Sequence, residues 1–324
     1  MYKNKKIEVI SFVAMICVVW WHCYCGSQVE RWFIPGFCVW SVPWFFFLSG
    51  VLFRRTLDSK QYATIVVSKI RSLLVPYIIW CGIGAVVTSY IYVGGGWLDA
   101  FGISSIKIHP WGNNALWYVR SLLIFMMVTM FIDFFNKKLL GNQRVIGLII
   151  TLIVILMTSH FLLNLGPSSS SFYFAIGMIS SEKVLGYKAV SKRQSVFVGF
   201  CFMLMAAVLR IVWFGIGHDF VNSGGTVLAN MSVCAFLVGL WYWADLIPKK
   251  SGWSGTVLQL LSLTAFVYFM HYPINDFIKH HLHIQSLNYR FVSLCVFAPL
   301  LYLLFAWMVK KWFNKFYVIL SGGR

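Results

Sequence analysis

The chain has 324 residues, 60% of them hydrophobic and only 11% charged, with a formal net charge of +18. Soluble globular domains carry about 25% charged residues, so a water-soluble globule is excluded and a polytopic membrane protein is expected. The cations sit in short segments between apolar runs, so they read as orientation signals, and no nucleic-acid partner is expected.

Apolar spans close to the ~20 residues needed to cross a bilayer follow one another along the chain. The first, 7–25, lacks a small-residue cleavage site at its end and reads as a retained helix. Glu8 lies near its start and His22 near its end. At 1.5 Å per residue, His22 stands about 24 Å along the helix from Lys6, toward the far face of a hydrocarbon core about 30 Å thick. On position alone, two roles stay open for it: a hydrogen bond to a neighbouring helix, or chemistry.

The second span, 35–54, contains Ser49-Gly50, small enough to admit another helix or a ligand. Arg54 and Arg55 follow it, and Lys69 and Arg71 flank the start of the third span, 70–93. These four cations are expected in the connecting loop, where they either orient the chain or meet phosphates. The fourth span, 115–135, opens in "NNALWYVR". Arg120 lies about one turn inside it and needs an anion, a carbonyl or water. Asn113, Asn114 and Trp117 precede it; amides and ring faces suit sugars, and tryptophan is equally an interfacial anchor.

The remaining spans are 144–163, 171–183, 194–215, 225–246, 256–278 and 288–313, for about ten in all. The 171–183 span begins in "GPSSSS", which reads as a capping turn. Further turn signals stand at Gly94–Gly96, Gly141-Asn142, Gly166-Pro167, Ser223–Gly225 and Ser251-Gly252. The eight cysteines lie mostly inside apolar runs and form neither a disulfide framework nor a zinc pattern. His109, His160, His218, His271, His280, His281 and His283 recur on the expected outer side. In "KHHLH", His280 and His283 share a helical face, but no carboxylate or cysteine completes a set, so no metal is expected.

With the N-terminus in the cytoplasm, inside segments hold 21 of the 27 Lys and Arg residues. Outside segments hold Arg31, Lys107, Lys279 and Arg290, and Arg120 and Arg210 lie near or within spans. One helix more or fewer would scramble this alternation. The expected fold is therefore all-α and polytopic, with about ten transmembrane helices and both termini cytoplasmic. Residues 1–324 are expected to form a single domain, and no internal repeat is seen in the sequence.

The first helix, "IEVISFVAMICVVWWH", resembles the opening of the acyltransferase 3 family, membrane enzymes that acylate carbohydrates. "VPWFFFLSGVLF" and "KIRSLLVPYIIW" are similar to its P-x-F-F-x-x-S-G and K/R-x-R-x-L-x-x-P-Y-x-x-W stretches. "ALWYVRSLLIF" is similar to its L-W-F-x-R-x-L, and "FVYFMHYPI" to its Y-x-x-H-x-P-I, in the family's order along the chain. The resemblance implies an O-acyltransferase in the inner membrane of a bacterial-type cell. Acetyl-CoA or another acyl-CoA is then the co-substrate, with no resident cofactor, and the partners are membrane lipid and a carbohydrate or lipid-linked glycan acceptor.

Under that resemblance His22 is the first candidate for catalysis and His271 the second. Lys69 and Arg71 match family positions and are assigned to the phosphates of the donor, with Arg54 and Arg55 behind them. Arg120, Trp117, Asn114 and Glu8 are assigned to substrate. One position departs: Ser11 stands where the family carries an arginine, eleven residues before the histidine. Lys5, Lys6 or Arg71 are the candidates to replace that charge. Two rival readings remain, a transporter or flippase for a glycolipid or small molecule, and a non-catalytic relative marked by Ser11.

Overall fold

The structure, a computed structural model, describes residues 5–23, 27, 33–93, 114–139, 169–215, 227–247, 255–281 and 286–323. Among the described residues every regular element is helical. The helices are α1 (Lys5–His22), α2 (Ser41–Ser59), α3 (Tyr62–Lys69), α4 (Val75–Val93), α5 (Trp117–Leu139) and α6 (Ser169–Leu185). They continue as α7 (Lys192–Gly215), α8 (Val227–Trp243), α9 (Gly255–Ser262), α10 (Thr264–His281), α11 (Leu287–Trp312) and α12 (Asn314–Leu320).

Among the described residues, six stretches are helical, long and apolar enough to cross a membrane: Gly36–Ser59, Tyr62–Ile91, Trp117–Lys138, Lys192–Trp213, Val227–Leu246 and Leu287–Trp312. They coincide with six of the expected spans. Of the others, α1 is 18 residues long and includes Lys5, Lys6 and Glu8. The 171–183 span lies in α6, 17 residues long. The 256–278 span is divided into α9 and α10 at Leu263. The 144–163 span lies outside the described residues, as do the turn signals at 94–96, 141–142, 166–167, 223–225 and 251–252, and Cys25, Asn113, His109, His160, His218 and His283, whereas Ser169–Ser171 of "GPSSSS" lie inside α6 and not in a turn. The same holds for Lys3, Arg31, Lys107, Arg144, Lys249, Lys250 and Arg324.

The expected loop between the second and third spans is corrected. Arg54 and Arg55 lie on α2, Lys69 ends α3, and Arg71 sits in a π-helical turn, Ile70–Leu74, that runs into α4. Only Lys60 and Gln61 separate α2 from α3, with Lys60 extended. The arginines and lysines around the junction are good helix formers, and Arg54 and Asp58 form an i,i+4 ion pair at 3.0 Å. The π turn arises next to Pro76, which has no N–H to give to the preceding turn; the Val75 N–H reaches back to the Ile70 carbonyl.

The chain forms two compact units, each drawn from separated segments. The first comprises Met1–Ala14, Val39–Ile65 and Ile124–Gly252; the second comprises Met15–Cys38, Val66–Leu123 and Trp253–Arg324. In the first unit α2 and α6 meet backbone to backbone. A Cβ on Gly50 would overlap the Phe174 carbonyl, and one on Gly177 the Phe47 carbonyl. This is the close approach that small residues permit between membrane helices. The Ser181 hydroxyl donates to the Val51 carbonyl at 2.7 Å, and Phe46, Phe125, Phe174 and Phe53 pack alongside at 5.8–6.1 Å between rings. Gly50→Val or Gly177→Val is expected to cost at least the ~1–3 kcal/mol typical of overpacking, because the obstructing atoms are backbone. Thermal unfolding in detergent checks this, and an unchanged midpoint would contradict the close approach.

In the second unit α12 closes back on α4 and α10. The Trp80 indole donates to the Leu320 carbonyl at 3.1 Å, and Tyr317 stacks on Phe266 at 5.1 Å. The break at Leu263 is satisfied from outside the helix. The Tyr317 hydroxyl donates to the Ser262 carbonyl at 2.9 Å, and the Lys310 ammonium to the Ser262 hydroxyl at 2.6 Å. Gly322, at φ +72°, lies where a Cβ would overlap the Ser72 carbonyl, so both conformation and contact require glycine there.

Candidate active site at the end of the first helix

α1 carries His22 as its last residue, and its C-terminal turn belongs to the second unit. A helix end leaves carbonyls without intrahelical partners. The Cys23 N–H bonds both the Val19 and Trp20 carbonyls, at 3.1 and 3.0 Å. The His22 carbonyl accepts from the Asn275 side-chain amide of α10. The Trp20 indole donates to the Cys295 carbonyl of α11 at 2.8 Å. These bonds fix where the His22 side chain leaves its helix.

The ring of His22 lies 5.0 Å from that of His271 and 5.3 Å, edge-on, from that of Tyr272. His271 is fully buried. Its Nδ1 lies 2.6 Å from the Tyr268 carbonyl. A carbonyl only accepts, so the proton sits on Nδ1 and Nε2 of the neutral ring is left as an acceptor. Nε2 is buried and makes no hydrogen bond. One nitrogen is thus held on its donor side, and the other is left as a hydrogen-bond acceptor. Pro273 removes one rung of the α10 ladder two residues further on.

Tyr268 also joins the other side of the site. Its hydroxyl donates to the Ala115 carbonyl at 3.2 Å, and its ring meets Tyr118 edge-on at 5.6 Å and His271 at 5.7 Å. The 3₁₀ turn Asn114–Leu116 and the start of α5, with Trp117 and Arg120, are thereby tied to α10 one turn from His271. Trp117 and Arg120 are both half-buried. Tyr77 of α4 lies within electrostatic reach of Arg120. In the same unit Lys69 is half-buried and Arg71 exposed.

The remaining candidates belong to the first unit. Arg55 is exposed on α2, Arg54 is held by Asp58, and Glu8 is half-buried on α1. Ser11 accepts a hydrogen bond from the buried Trp44 indole at 3.0 Å. Lys6, a candidate to replace the missing arginine, is engaged elsewhere. Its ammonium is 2.8 Å from Asp245 and lies over the rings of Trp241 and Tyr187, at 3.9 and 4.4 Å. The Tyr187 hydroxyl donates to the other Asp245 oxygen at 2.7 Å. Burial and that carboxylate raise the phenol above its usual range, so it stays a donor.

Several of these residues escape a reading by motif. Asn275 lies just past "FVYFMHYPI", and Asp245 and Tyr187 lie in segments without any motif. Cys17 and Cys38, both buried, come within hydrogen-bond reach of each other, with Cys23 and Cys295 nearby, although their sequence spacing is irregular. His281 donates Nδ1 to the Phe277 carbonyl at 2.9 Å and packs on Phe277 and Tyr90.

A family described as an acyltransferase domain matches residues 4–309. No curated protein and no solved structure matches the chain significantly.

Proposed function

Because the chain belongs to the acyltransferase 3 family over nearly its whole length, we propose that it moves an acyl group from cytoplasmic acyl-CoA to a hydroxyl of a cell-surface carbohydrate or its lipid-linked precursor. The observation that carries this reading is the His22–His271 pair. Two imidazoles lie 5.0 Å apart at the end of the first helix, one of them with its tautomer fixed by a backbone carbonyl. The reading includes a single domain of about ten transmembrane helices with both termini cytoplasmic, in the inner membrane of a bacterial-type cell. Six apolar helices and the distribution of lysine and arginine support it.

In the reaction, the hydroxyl oxygen attacks the thioester carbonyl carbon while His22 takes the hydroxyl proton. The tetrahedral adduct then collapses, the carbon–sulfur bond breaks, and the departing thiolate recovers the proton. His271 is assigned the second place in this chemistry, its ring 5.0 Å from that of His22 and its Nε2 buried without a hydrogen bond. Arg120, Trp117, Asn114 and Glu8 are assigned to the acceptor. Lys69 and Arg71, with Arg54 and Arg55, are assigned to the donor phosphates, where charge-assisted hydrogen bonds are strong. The exposure of Arg71 and Arg55 supports that assignment.

The test is incubation of the protein in nanodiscs with radiolabelled acetyl-CoA and extracts of cell-envelope glycans. Label is expected in glycan. Substrate movement that proceeds without any acyl donor would instead establish a transporter.

The hydrogen bond from Trp44 to Ser11 favours a second reading, a relative with weakened or lost donor binding. Lys6, bound to Asp245, is poorly placed to substitute. Ser11→Arg is therefore expected to lower the KM for acetyl-CoA about tenfold, the worth of one charge-assisted bond. An inactive wild type that Ser11→Arg leaves inactive would favour the non-catalytic relative.

A further inference from the structure

His271 and Asn275 lie one turn apart on α10, so their side chains share a face. They are 0% and 2% exposed. Each has committed one polar atom. His271 Nδ1 is held by the Tyr268 carbonyl, and Asn275 Nδ2 donates to the His22 carbonyl. Each keeps a second one, His271 Nε2 and Asn275 Oδ1, that is buried and makes no hydrogen bond.

The chemistry of these two atoms is fixed by their partners. A carbonyl takes only donors, so the nitrogen facing the His22 carbonyl is the amide NH₂, and Oδ1 is an acceptor. By the same logic Nε2 of the neutral imidazole is an acceptor. Buried acceptors left unmet are costly and rare. Here two stand on one helix face, beside the ring proposed to take the proton.

We infer that His271 Nε2 and Asn275 Oδ1 form a paired acceptor site that takes two hydroxyl groups of the carbohydrate, holding one of them beside the His22 ring. This rests on the acyltransferase reading and adds to it a residue, Asn275, and a requirement for a polyhydroxylated acceptor rather than a lone alcohol. A site built to bond hydroxyls discriminates strongly against analogues that lack them. The pantetheine arm of acyl-CoA also carries N–H and O–H donors, so the test separates the two substrates.

Asn275→Leu and His271→Phe are compared with wild type in nanodiscs, with labelled acetyl-CoA as donor and envelope-glycan extract as acceptor. The apparent KM for the extract is expected to rise about tenfold or more in each variant, while the KM for acetyl-CoA stays within about twofold. His271→Phe keeps an aromatic ring against His22 and Tyr268, so it carries the comparison if Asn275→Leu does not fold. An unchanged KM for the extract overturns the inference. So does a rise confined to acetyl-CoA, which would assign the two acceptors to the donor arm. A wild type that transfers no label fails the acyltransferase reading itself, and the paired site with it.

Discussion

His22→Ala is expected to lower acyl transfer by about 10²–10⁴-fold, the usual contribution of a positioned general base. The fold is expected to survive. The substitution removes the ring that meets His271 and Tyr272 but keeps the backbone carbonyl that Asn275 caps. Binding of acetyl-CoA is expected to be unchanged, because the donor is assigned to Lys69, Arg71, Arg54 and Arg55. Initial rates of label transfer in nanodiscs, with donor binding measured in parallel, separate these effects. A variant that keeps the wild-type rate would remove His22 from the chemistry and leave His271 as the candidate base.

Asp245→Ala is expected to destabilise the protein by about 3–5 kcal/mol, the cost of leaving one partner of a buried ion pair alone. The Lys6 and Asp245 side chains are 10% and 4% exposed. Removing the carboxylate strands the Lys6 ammonium between the Trp241 and Tyr187 rings and takes away the acceptor of the Tyr187 hydroxyl. The paired change Lys6→Met with Asp245→Leu is expected to cost less than Asp245→Ala, since it buries no unpaired charge. Thermal unfolding in detergent measures both, with the exposed Lys315→Ala as reference. A midpoint for Asp245→Ala no lower than that of the reference would mean the pair contributes nothing.

The spans with uninterrupted apolar character were readable because a membrane helix must satisfy its own backbone, leaving length and hydropathy as its signature. That logic works for α2, α5, α7, α8 and α11. It fails where side chains from elsewhere decide the outcome. The break between α9 and α10 depends on Tyr317 and Lys310 reaching Ser262. The π turn bearing Arg71 depends on Pro76, and the short α2–α3 junction removes the loop that the charges suggested.

The site divides in the same way. His22, His271, Arg71 and Arg120 stand in stretches that resemble family motifs, so as candidates they were legible. Their geometry was not, because it depends on residues far apart in sequence. Asn275 meets His22 across 253 positions, Tyr268 meets Ala115 across 153, and Lys6 meets Asp245 across 239. No periodicity encodes such pairs.

The most direct test of transmembrane acyl transfer uses sealed vesicles with the protein inserted in one orientation. Labelled acetyl-CoA is enclosed on the proposed cytoplasmic face, and envelope glycan is supplied only on the opposite face. Labelled glycan is expected outside with wild type, and at least about 10²-fold less with His22→Ala. Transfer that requires donor and glycan on the same side, or that proceeds equally with His22→Ala, would contradict it.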